Sequence, residues 1–142
     1  MAYDKDNIFA KTLRGEIPST KIYEDALTFA FLDIMPQARG HTLVIPKCEA
    51  ESLLDLPTQF AAPLLLATQK IARAVKAVVE APGIMIAQLS GPAAGQTVLH
   101  VHFHIIPRWD GVDLGFHERA KAVPGELEAL AAKIRERLRA QS

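Results

Sequence analysis

The sequence predicts an α+β protein with a mostly antiparallel sheet, and three observations carry that expectation. Short runs of β-branched and aromatic residues recur along the chain, several joined by turn residues. Only one helix-length segment separates the early strands from the late ones, so a βαβ alternation is absent. A run of imidazoles, His100-Val101-His102-Phe103-His104, has the side-chain period of two that belongs to a strand.

The elements follow in order. Asn7 to Leu13 reads as a short helix with Asp6 or Asn7 as N-cap, ended by Arg14-Gly15. Thr20 to Tyr23 and Thr28 to Asp33 read as strands linked by Glu24-Asp25, and Pro36 to Gly40 as a loop. His41 to Ile45 is a third strand, closed by Pro46. Pro57 to Val79 has helical length, with Pro63 expected to break or restart it. Beyond Pro63 an apolar stripe runs from Leu64 through Ile71 to Val78, and Ala81-Pro82-Gly83 stops the helix. Ile84 to Leu89 is a fourth strand, Ser90 to Gly95 a loop, and Val98 to Pro107 a fifth strand. Leu114 to Val123, with His117, reads as irregular and solvated. Pro124 suits the first position of a last helix, whose apolar face is Leu127, Leu130, Ala131, Ile134 and Leu138.

Composition narrows the function classes. The length of 142 residues suits one domain spanning 1–142. Sixteen basic and sixteen acidic residues cancel, so no basic excess attracts nucleic acid. Cys48 is the only cysteine, which excludes an internal disulfide and fits a reducing cytoplasm. No apolar run approaches the ~18 residues of a spanning helix, and no signal peptide is expected.

The histidines are the chemical feature. Alternate strand residues lie roughly 6.5–7 Å apart, so the three imidazoles form a row able to act on one substrate. Imidazole serves as nucleophile, acid, base or metal ligand near neutral pH. Upstream, Gly91-Pro92-Ala93-Ala94-Gly95-Gln96-Thr97 is a turn whose glycines allow close backbone approach to an anion. Two readings remain open from the residues alone: a phosphate site, or a metal-binding His-x-His-x-His protein.

The run from Gly95 to Arg108, GQTVLHVHFHIIPR, resembles the signature of the histidine-triad (HIT) family. Upstream blocks agree: Asn7-Ile8-Phe9-Ala10-Lys11, Ile17-Pro18, Phe31 to Pro36 and Gly40 to Lys47. The resemblance covers residues ~6 to 109 and leaves the last helix, about 124–140, outside it. It implies a HIT-like fold: a five-stranded, mostly antiparallel sheet with a central and a C-terminal helix. It also implies a nucleotidyl hydrolase or transferase that cleaves at the α-phosphorus of an AMP conjugate, an adenosine phosphoramidate or a dinucleoside polyphosphate. By the same resemblance His102 is the nucleophile, forming a covalent nucleotidyl-histidine. His104 contacts phosphate or leaving group, and His100 and His41 support the site. Ser90, Gly95, Gln96 and Thr97 face the phosphate, Asp33 the ribose hydroxyls, and Phe9, Phe31 and Ile34 the base. A homodimer is implied, without cofactor, nucleic-acid or membrane partner.

Two departures qualify the resemblance. The family asparagine before the glycine loop is missing from Gln88-Leu89-Ser90, which keeps open a nucleotide-binding protein with vestigial catalysis. Asn7, Ala10 and Glu49 stand where some members carry structural-zinc ligands, so no such zinc is expected.

Overall fold

The computed structural model describes residues 2–113 and 121–141. The reading of His117, and of 114–120 generally, lies outside the described residues. Five strands form one antiparallel sheet: β1 (Thr20–Glu24), β2 (Thr28–Leu32), β3 (Thr42–Pro46), β4 (Gly83–Gln88) and β5 (Phe103–Arg108). Their spatial order is β1-β2-β3-β5-β4, so β4 is an edge. Helices α1 (Ile8–Leu13), α2 (Thr58–Val79) and α3 (Pro124–Gln141) complete the chain, with 3-10 turns at Leu53–Asp55 and Pro92–Ala94.

Strand alternation divides the sheet into two faces. Ala30, Leu32, Val44 and Ile105 point to α2 and α3 and form the main core with Leu64, Ile71, Val75, Leu130 and Ile134. Phe29, Phe31, Leu43 and Ile45 point the other way and pack with Phe9 of α1. Both faces of β2 and β3 are therefore covered, and all ten of their residues are buried. Leu43 pairs with His104 across the β3–β5 ladder, which puts His104 on the α1 side of the sheet.

Local chemistry explains the elements and their departures from expectation. Asn7 is the cap of α1: its Oδ1 accepts from the N–H groups of Phe9 and Ala10. Pro63 does not interrupt α2. It removes one N–H, that which would meet the Gln59 carbonyl, and Gln59 is exposed in the first turn, where water replaces the bond. α3 buries the whole predicted apolar face. Trp109, just past β5, packs partly buried against the main core.

The largest correction concerns the fifth strand, which begins at Phe103 rather than Val98. The backbone from 98 to 102 has partners other than a ladder. The Val98 carbonyl accepts from Gln96, the Val101 N–H donates to the Ala50 carbonyl, and the His100 carbonyl accepts from His102. Only His104 of the three histidines therefore stands on a regular strand.

Candidate active site

A cavity of about 300 Å³ opens on the α1 face of the sheet, within the size range of small-molecule sites. Its floor is Phe9 and Phe31, packed edge to face at 5.4 Å, and Leu43. Ile8 and Ile34, both half exposed, flank its mouth with Ile17, Pro18 and Met35. Its polar end is made by Asp33, Thr97, His102 and His104. An apolar slot therefore ends at two imidazoles, a carboxylate and a hydroxyl.

The elements place these groups for local reasons. Gly40 has φ of +95°, and a Cβ there would lie 3.1 Å from Val75 and Val79 side-chain atoms. Glycine is needed where the 33–40 loop turns against α2 into β3, and this turn delivers His41 beneath the site. Asp33 ends β2: its N–H donates to the His41 carbonyl, and its Oδ1 accepts from the Met35 N–H in an Asx turn.

Hydrogen bonds assign the protons of the imidazoles. His102 Nδ1 lies 2.6 Å from the His100 carbonyl oxygen, which only accepts. Nδ1 therefore carries the proton and Nε2 keeps its lone pair. His41 is the reverse case. Its Nδ1 accepts from the Gln37 N–H at 3.0 Å, so its proton sits on Nε2. That Nε2 is 3.0 Å from His104 Nδ1 and 3.6 Å from Asp33 Oδ2. His104 then accepts at Nδ1 and carries its own proton on Nε2. Burial lowers the His102 pKa, against the opposing pull of its carbonyl bond and of Asp33, so the ring is neutral at neutral pH.

His100 is turned away from the cavity. Its Nε2 donates to the Pro46 carbonyl, its Nδ1 meets the Tyr3 hydroxyl, and burial pushes its pKa down to about 4. It supports the site without lining it.

Three of the predicted contacts lie elsewhere. Gln96 is buried and spends its amide inside the protein: Oε1 accepts from the Gly91 N–H, while Nε2 donates to the Glu51 and Val98 carbonyls. It braces the glycine loop rather than facing phosphate. The Ser90 hydroxyl donates to Gln88 Oε1, and neither Ser90 nor Gly95 lines the cavity. Gly95 serves the turn itself, with φ of +103°. Phe9, Phe31, Ile34, Asp33, Thr97, His102 and His104 do share the cavity. Sequence reasoning missed Tyr3 and the Gln37 N–H. No local signal marks them, because both act through contacts that the fold creates.

Among the described residues, the one group with metal-ligand geometry is Asp33, His41 and His104, with donor atoms within 4.8 Å of one another. It is not the His100-His102-His104 set on which the alternative metal reading rests. Its chemistry also fits poorly. A metal on His41 Nε2 would displace the proton that the Gln37 bond holds there and leave that ring an imidazolate. The Asn7 side chain is occupied as a helix cap.

The HIT domain model matches residues 14–111. This chain belongs to the HIT family. The HIT protein is 37% identical over 145 residues to an adenosine 5'-monophosphoramidase of Candida albicans, covering 97% of this chain and 95% of the relative. It is 47% identical over 113 residues to a HIT-like protein of Borreliella burgdorferi, covering 78% of this chain and 81% of the relative. Its fold superposes on a crystal structure of a Hit-like protein from Bartonella henselae with a TM-score of 0.91 and 50% identity, covering 96% of this chain and 99% of the other. The sheet order and helices described above are thus those of HIT-fold proteins, as the sequence resemblance implied.

Proposed function

We propose that this HIT protein is a nucleotide hydrolase that cleaves adenosine phosphoramidates through a covalent nucleotidyl-histidine on His102. One observation carries the reading: His102 holds its proton on Nδ1 against the His100 carbonyl, which leaves the Nε2 lone pair at the polar end of an apolar slot. The Candida relative's name supports the phosphoramidate class.

In the first half-reaction His102 Nε2 attacks the α-phosphorus, the P–N bond breaks, and the amine leaves with a proton from solvent. His104 Nε2–H and the Thr97 hydroxyl donate to phosphoryl oxygens as their charge grows. In the second half-reaction water attacks phosphorus, the P–Nε2 bond breaks, and the water's proton returns to solvent. Asp33 accepts from the ribose, and Phe9, Phe31 and Ile34 enclose the base. Dinucleoside polyphosphates would react at the same phosphorus, with a nucleotide in place of the amine.

A second copy of the chain is the proposed partner. Edge strand β4 offers unpaired backbone, its Ile86 is 46% exposed, and the neighbouring Leu65 and Leu66 of α2 are 58% and 62% exposed. The cytoplasm is the proposed location, on the single free cysteine.

The test is intact mass after mixing with adenosine phosphoramidate. A nucleotidyl adduct should form on wild type and be absent from His102→Asn, which should bind AMP and melt as wild type does. Hydrolysis by His102→Asn at the wild-type rate would sink the proposal. AMP binding by wild type with neither adduct nor turnover would favour vestigial catalysis.

A further inference from the structure

His100 is fully buried, yet each of its ring nitrogens has a partner. Nε2 is 3.0 Å from the Pro46 carbonyl oxygen, so the ring proton resides on Nε2. Nδ1 must then accept, and the group facing it is the Tyr3 hydroxyl. Tyr3 also stands edge-on to the imidazole, with centroids 5.7 Å apart and ring planes at 67°. Its burial raises the phenol above its usual pKa, so it stays a donor. The main-chain carbonyl of the same His100 receives the Nδ1 proton of His102.

We propose that Tyr3 is a positioning residue: by hydrogen-bonding His100 Nδ1 it fixes the rotation of His100 and hence the carbonyl that sets the tautomer of His102. This rests on the reading of His102 as nucleophile. Without the hydroxyl, the Nδ1 lone pair of a buried ring loses its donor. The ring must shift to recover one, and its carbonyl shifts with it. His102 then spends part of its time with the proton on Nε2, the form that cannot attack phosphorus. Tyr3 does not line the nucleotide cavity, so binding should be spared.

Tyr3→Phe in the full chain retains the ring contact and removes only the hydroxyl. With adenosine phosphoramidate, kcat should fall about ten-fold, while KM and the calorimetric affinity for AMP stay within about two-fold. The imidazole ¹⁵N shifts of His102 should move toward a tautomer mixture. Unchanged kcat with unchanged His102 shifts overturns the proposal. So does a rise in KM that matches the fall in kcat, which would mark general loosening. If the variant does not fold, the wild-type ¹⁵N pattern decides. Protons on His100 Nε2 and His102 Nδ1 support the coupling, and a proton on His100 Nδ1 refutes it. If wild type hydrolyses no phosphoramidate, the assigned activity fails, and the ¹⁵N shifts still report whether Tyr3 controls His102.

Discussion

His102 and His104, with ring centroids 4.9 Å apart, carry their protons on opposite nitrogens. The His100 carbonyl holds the His102 proton on Nδ1. The Gln37 N–H, acting through His41, holds the His104 proton on Nε2. One ring is thereby a lone-pair donor and its neighbour a hydrogen-bond donor, the pairing that displacement at a phosphoryl centre requires.

His41 should therefore act through His104. His104→Ala should lower kcat about 10²-fold through loss of one transition-state donor, and His41→Asn should do so to a smaller extent. The double variant should be no slower than His104→Ala, since the relay has one outlet. Steady-state kinetics of the three proteins checks this, and additive losses would show that His41 has an independent role.

Asp33→Asn should separate binding from chemistry. Asparagine retains an oxygen for the Met35 N–H, so the turn survives. The weaker acceptor should raise KM for a ribonucleoside phosphoramidate about ten-fold and leave kcat within a few-fold. A 2',3'-dideoxy substrate should show no such difference between the two proteins.

Gln96→Ala should destabilise the fold by about 1–2 kcal/mol, because it strands a partly buried N–H and two partly buried carbonyls. Urea unfolding midpoints measure the loss. Gln96→Glu should not rescue it, since a carboxylate cannot donate to the Glu51 and Val98 carbonyls.

Acid should weaken the protein through His100. Its folded-state pKa is about 4 against an ordinary 6.5. The unfolded chain therefore takes up the proton first as pH falls. The stability is whole above about pH 6.5 and declines toward pH 4, by about 3 kcal/mol from this one residue. His102, lowered in the same direction, steepens the decline. Urea midpoints at pH 7 and pH 5 test it. A His100→Asn variant should start less stable and lose less between those pH values.

Strands and helices were legible because each has a local signature. The apolar face of α3, the Asn7 cap and the inward Phe29, Phe31, Leu43 and Ile45 all follow from side-chain periods that short windows contain. Even the failure at Pro63 is local in origin: one missing N–H near a helix start is tolerated in place. The strand expected from Val98 failed for a different reason. Ala50, Gln96 and His102 claim the backbone of 98–102, and propensity does not see such competitors.

By itself the sequence determined the α+β class and the family, and it singled out the histidines of the candidate site, since these rest on residue type and short spacing. Only the tertiary structure made the histidines unequal. The proton of His102 depends on a carbonyl two residues back that is freed from the ladder. The proton of His104 depends on His41, sixty-three positions away, and the place of His100 on Tyr3, ninety-seven away. A tautomer is set by whichever group stands opposite each nitrogen, and for these rings the fold alone decides which group that is.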